Sequence, residues 1–275
     1  MKKTLIFHLF IDDIESIAYK LHLACLEYYI PIFDNLKFII TINDKRDTKQ
    51  LNYIINEILK ISDNKDVDFK IRENNSLCEC QTFYDEVLKS CENEMVFMAH
   101  SKGTNNFKDA RVNTQSIFMW ICGLYFYGLN FMDEVMMYLL SKKAYPECMY
   151  GPFLMENDVD DSRKFLVKYH YSGNFYWINT KYYRNLNRRG ICGDVELDNP
   201  MFAEMFPGMY FNADAGGGLS THNNSILKMS EYDGCFYDAD LEKWKEITKK
   251  IGNSEEFFDF CKKIANEIGY TDINF

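Results

Sequence analysis

The first hundred residues alternate between short apolar runs and amphipathic stretches, and this constrains the fold more than any other feature of the chain. Thr4–Ile11 is β-branched and aromatic and stops at Asp12 and Asp13, the pattern of a buried strand. Ile14–Tyr29 then places Ile14, Ile17, Ala18, Leu21, Ala24, Cys25 and Tyr28 at helical spacing. The same reading predicts strands over Leu36–Ile42, Val67–Arg72 and Met95–Ala99, with helices over Gln50–Ile61 and Cys80–Ser90. Strands and helices in turn require crossover connections, and therefore a mostly parallel sheet flanked by helices on both faces. The expected class is α/β, Rossmann-type.

The second half is less regular. Gln115–Leu140 reads as a long apolar helix broken near Gly128, Cys148–Met155 as a strand, and Tyr169–Thr180 as a single aromatic strand. Asn212–Asn224, with three consecutive glycines, reads as a loop. Leu241–Ile251 and Glu255–Ile268 form an amphipathic helical C-terminal appendage. With no repeat and no Pro/Ser-rich linker, the expectation is one domain over 1–275, divisible into 1–112, 113–237 and 238–275.

Composition excludes several function classes. Of 275 residues 47% are apolar, which supports a substantial core and rules out disorder. Acidic residues number 41 against 31 basic, a net charge of −10, so a sequence-blind nucleic-acid binder is not expected. The nine cysteines are odd in number and irregular in spacing, and Cys78 and Cys80 are too close for a C-x-x-C zinc knuckle. They read as reduced thiols. No run reaches the ~20 apolar residues of a transmembrane helix, and Asp12-Asp13 interrupt the N-terminal run before a signal peptide could form. The expected location is cytoplasmic.

The sharpest local feature is Val96-Phe97-Met98-Ala99-His100-Ser101-Lys102-Gly103, where a buried strand gives way to an imidazole, a hydroxyl, an ammonium and a glycine. Ligands of open α/β sheets bind beyond the carboxyl ends of strands. In one reading Ser101 is the nucleophile of an elbow turn, with Asp158 or Asp160 and His222 completing a triad. Against it, the following Thr104–Asp109 segment is polar and does not start a helix. In the other, His100, Lys102 and Gly103 face a diphosphate and Arg111 adds a bidentate contact. A plain strand-to-loop exit with a surface lysine is the third possibility.

Downstream, Tyr169–Asn179 alternates so that His170, Ser172 and Asn174 share one side, while Tyr171, Phe175 and Trp177 offer ring faces suited to a sugar or, as aromatic strands more often do, pack in the core. Glu204, among aromatic and methionine neighbours, is a carboxylate that is costly to bury without a task. A helix-face partner for Arg188 or Arg189 is the alternative. Asp-x-Asp pairs at Asp66/Asp68, Asp158/Asp160 and Asp238/Asp240 could hold Mn²⁺ or Mg²⁺.

The order of these pieces is similar to a family of glycosyltransferases from bacterial surface-glycan clusters and large DNA viruses, over roughly residues 4–211. The matching elements are Asn74-Asn75, Glu79, Thr82-Phe83, His100-Ser101-Lys102-Gly103, Asp109-Ala110-Arg111, His170-Tyr171-Ser172-Gly173-Asn174-Phe175-Tyr176-Trp177 and Glu204. Ala110 and Tyr176 stand where the family carries tryptophan. The resemblance implies a GT-A-like fold and transfer of a sugar from a nucleotide diphosphate donor, a UDP-sugar first and a GDP-sugar second, to a hydroxyl of a glycan acceptor. It implies a nucleotide-sugar half over 1–112 and an acceptor half over 113–237. It places His8, His100, Lys102, Gly103 and Arg111 on the donor. His170, Tyr171, Ser172, Asn174 and Trp177 fall on the sugar or acceptor, and Glu204 is the general base. Metal dependence is left open. A serine hydrolase built on Ser101, or a non-catalytic sugar- or nucleotide-binding protein, are the alternatives.

Overall fold

A computed structural model describes residues 1–11, 13–43, 48–63, 65–89, 91–92, 94–101, 107, 114–140, 149–156, 169–181, 203, 206, 227–228, 239–251, 253–273 and 275. The first half follows the alternation: β1 (Lys3–Ile11), α1 (Ile17–Tyr29), β2 (Asn35–Ile42), α2 (Thr48–Ile61), β3 (Val67–Glu73), α3 (Cys78–Thr82) and β4 (Met95–His100). Between α3 and β4 the chain makes a wide π-helical turn over Phe83–Lys89. The long apolar stretch divides into α4 (Thr114–Leu129) and α5 (Met132–Leu139), as its glycine near the end suggests. Then come β5 (Met149–Tyr150), β6 (Phe153–Glu156), β7 (Tyr169–Tyr171), β8 (Tyr176–Asn179), β9 (Leu227–Lys228), α6 (Leu241–Ile251) and α7 (Ser254–Ile268).

Six strands form the main sheet in the order β3-β2-β1-β4-β8-β5. β1, β2, β3 and β4 pair in parallel, whereas β8 runs antiparallel to both β4 and β5. A smaller sheet has the order β7-β6-β9. The α/β class with a largely parallel sheet is therefore present.

Strand alternation sorts residues between the two faces. Leu5, Phe7, Leu9, Phe38, Ile40, Phe97 and Ala99 enter the larger core with α1, α2, α4 and α7. Ile6, Ile39, Val96 and Met98 enter a second core with Cys80, Phe83 and Val87 of the α3 region.

Two expectations are corrected. The C-terminal helices are no appendage: α7 buries Phe257, Phe260, Cys261, Ile264 and Ala265 in the same core as β1 and α4. The aromatic stretch 169–180 is not one strand. It breaks at a tight turn where Gly173 has φ 79° and Asn174 has φ 54°, so β7 joins the small sheet and β8 the main one. Glycine tolerates that left-handed geometry, and asparagine is among the few other residues that do. A Cβ on Gly173 would also lie 3.1 Å from Leu124 Cδ1.

Candidate functional site

β1 leads by α1 to β2 on one side, while β4 is added on its other side, so the switch point of the sheet lies between β1 and β4. Crevices that bind ligands open at the carboxyl ends of strands flanking such a point. His8 and His100 are register partners there, near the end of β1 and at the end of β4. Equal parity puts both on the α3 side of the sheet.

The two imidazoles have different surroundings. His8 is buried, with Nδ1 3.0 Å from Thr82 Oγ1 and Nε2 2.7 Å from Thr41 Oγ1. Burial pushes its pKa down to about 4; His100 and Arg72 act in the same sense, and Glu79 opposes them. His8 is thus a neutral ring with both nitrogens engaged, which corrects its expected place among the diphosphate ligands. It ties β1, β2 and α3 together.

His100 meets a carboxylate instead. Its Nδ1 lies 3.0 Å from Glu79 Oε2, and Glu79 Oε1 accepts from Nδ2 of Asn174. Glu79 on α3 therefore bridges the end of β4 to the turn before β8. Both Nε2 of His100 and Oδ1 of Asn174 are buried without a hydrogen-bond partner. The edge of this cluster is apolar, with the Phe175 ring centroid 6.2 Å from that of His100.

The segment carrying α3 is held by a second carboxylate. Glu86, on the π-helical turn, is almost fully buried and pairs with Lys37 of β2 at 3.2 Å and with Lys70 and Arg72 of β3 at 2.7 and 3.2 Å. Burial alone would raise its pKa, but the hydrogen bonds from Lys70 and Lys37 outweigh that and hold it below the ordinary value.

Ser101 is not arranged as a nucleophile. Its hydroxyl accepts from Phe10 N at 2.9 Å and donates to Phe10 O at 3.1 Å, while its own N–H donates to His8 O. The side chain extends the β1–β4 ladder by one step, a structural role.

Trp177 is also corrected. It is fully buried, stacks on Phe33 with centroids 5.7 Å apart, and donates its indole N–H to Gly128 O at 2.9 Å. That carbonyl belongs to the last turn of α4, where helix acceptors lack intrahelical partners. No ring face is open to a sugar.

His170 pairs with Met155 across β7 and β6, Tyr171 pairs with Leu154, and Ser172 opens the turn. Lys102, Gly103, Arg111, Glu204, Asp158, Asp160, His222 and Asp238 lie outside the described residues. The pair Asp66/Asp68 sits where β3 begins, at the opposite end of the sheet from His100, and Asp68 pairs with Lys37 at 3.6 Å. Among the described residues no group of three His, Cys, Asp or Glu could hold a metal ion. The six described cysteines, Cys25, Cys78, Cys80, Cys91, Cys122 and Cys261, are unbridged and buried. No described helix is long and apolar enough to cross a membrane.

No protein-family model matches the sequence, and no curated protein matches it. The geometry stands by itself. Sequence reasoning assigned Glu79 no role, yet it joins His100 to Asn174.

Proposed function

We propose that this protein is a glycosyltransferase with a GT-A-like nucleotide-sugar domain, acting in the cytoplasm on a glycan acceptor. The observation that carries the reading is the polar cluster of His100, Asn174 and Glu79 at the carboxyl end of β4, beside the switch point of a parallel sheet. A nucleotide diphosphate sugar, a UDP-sugar first and a GDP-sugar second, takes the crevice above β1 and β4. In this reading Lys102 and Arg111 are the cations for its diphosphate, and Gly103 is the residue that tolerates close backbone approach. Charge developing on the leaving diphosphate is neutralised by these two cations, the kind of stabilisation that contributes most in such reactions. Glu204 takes the proton of the acceptor hydroxyl as that oxygen attacks the anomeric carbon.

The test is a thermal-shift panel of nucleotides and nucleotide sugars, each with and without Mn²⁺, followed by transfer assays. A ligand at ~100 times its dissociation constant adds about 2.7 kcal/mol to stability, so one nucleotide sugar should raise the melting temperature clearly. Lys102→Ala should reduce both that shift and the rate, and Glu204→Gln should abolish transfer with binding retained. An unaltered rate in Glu204→Gln removes the base assignment. No shift with any member of the panel removes the transferase reading.

A further inference from the structure

Glu79 has both carboxylate oxygens engaged, Oε2 by Nδ1 of His100 and Oε1 by Nδ2 of Asn174. An ionised carboxylate only accepts hydrogen bonds, so both partners must donate. Nδ1 of His100 therefore carries a proton, and the Asn174 amide turns its NH2 toward Glu79. The outward ends of the two side chains are fixed by the same logic. In the neutral imidazole Nε2 is an acceptor, and Oδ1 of Asn174 is an acceptor too.

Both atoms are buried and neither has a partner; His100 is 8% exposed and Asn174 3%. Folded proteins pair the large majority of such atoms, and two unpaired acceptors on the partners of one carboxylate call for a specific cause. Asn174 is also held in a left-handed conformation at φ 54°, which fixes where its amide can reach.

We propose that Nε2 of His100 and Oδ1 of Asn174 form a hydroxyl-binding subsite for a ligand that donates to both, and that Glu79 is the positioning residue that sets their polarity. Two acceptors backed by a carboxylate repel phosphate oxygens and attract hydroxyl protons. His100 therefore holds a sugar or ribose hydroxyl rather than the diphosphate, which is left to Lys102 and Arg111. The inference builds on the transferase reading and names the part of the donor or acceptor that meets this cluster. A site built to bond a hydroxyl discriminates strongly against analogues without it.

Glu79→Gln tests the polarity. The new amide offers one acceptor and one donor in place of two acceptors, so either the imidazole changes tautomer or the Asn174 amide turns over. One acceptor of the subsite then becomes a donor. The full chain and this variant are titrated at about pH 8 with neutral methyl glycosides, uridine and guanosine, with pyrophosphate, and with the nucleotide-sugar panel. Histidine ¹⁵N spectra are recorded in parallel, with His100→Gln used for assignment.

The expected result is a non-protonated Nε2 on His100 whose resonance moves with a neutral hydroxyl probe and not with pyrophosphate. Glu79→Gln should weaken that probe about tenfold, equivalent to about 1.4 kcal/mol, and leave pyrophosphate unaffected. The proposal is overturned if pyrophosphate moves Nε2, if no neutral probe binds the wild-type chain, or if Glu79→Gln leaves neutral-probe affinity unchanged. Should that variant fail to fold, the wild-type spectra decide alone. Nucleotide-sugar turnover with an unmoved Nε2 would sink this inference and spare the transferase. Neutral glycoside binding without any nucleotide sugar would do the reverse.

Discussion

At His8 a single buried ring couples folding to pH. Its imidazole is bracketed by Thr41 and Thr82 and titrates at about 4 in the fold, against about 6.5 in an unfolded chain. Between those values the unfolded state binds the proton and the folded state does not, so stability falls as pH drops from 6.5 toward 4. The full depression corresponds to about 3 kcal/mol. His8→Gln, which keeps a polar side chain without the titration, should unfold at nearly the same denaturant concentration as wild type near pH 4. At pH 7.5 it should be the less stable of the two. A variant whose deficit is the same at both pH values would contradict this account.

Little of this residue-level detail was legible in the sequence. His8 and His100 share a face by parity, but nothing in the spacing told a neutral, doubly bonded ring from one with a free nitrogen. That distinction is made by Thr41 of β2 and by Thr82 and Glu79 of α3, residues distant in sequence from the two histidines. Glu79 sits on a helix of only five residues, too short for any periodic signal.

Among the elements, α4 is the most tightly constrained. It is buried along nearly its whole length, and two glycines let it approach its neighbours. A Cβ on Gly123 would come within 2.9 Å of Phe153 Cζ and 3.0 Å of Trp244 Cη2. Trp244 in turn stacks on Phe257, so neither ring is free to yield. Helix propensity alone would favour alanine by about 1 kcal/mol, whereas overpacking costs about 1–3 kcal/mol. Gly123→Ala should therefore be net destabilising, by up to about 2 kcal/mol in urea unfolding, and a stabilised variant would show that the packing relaxes.

The elements of the first half were legible because hydrophobic period and length agree there. The misreading of Tyr169–Thr180 has a definite cause: aromatic alternation continues through Gly173 and Asn174, while the backbone does not. Nor does any periodicity encode strand direction, so the antiparallel placement of β8 was invisible.

For the whole molecule, the core runs from Leu5 on β1 to Ile273 near the end of the described chain. α7 packs on both α1 and α4, its Phe260 in ring contact with Tyr28 and Tyr29 and its Phe257 with Phe126. Burying Phe257, Phe260 and Ile264 contributes about 1.5–3 kcal/mol each, comparable in sum with the 5–15 kcal/mol stability of an ordinary domain. Truncation after Asp240 should thus abolish cooperative thermal unfolding. A truncated chain that still melts sharply would return α6 and α7 to the status of an appendage.

The reversed strand β8 also sets the order in which this chain becomes safe from itself. During synthesis β1, α1, β2, α2, β3 and β4 emerge before the second half, and β4 then presents an unpaired edge that is apolar over Met95–Ala99. Its cover, Tyr176–Asn179, is made some 75 residues later, about 4–15 seconds at ordinary elongation rates. Bare edges of this kind recruit other strands. The nascent chain therefore passes through a window in which a chaperone, or a neighbouring copy on the same messenger, competes with its own second half for β4.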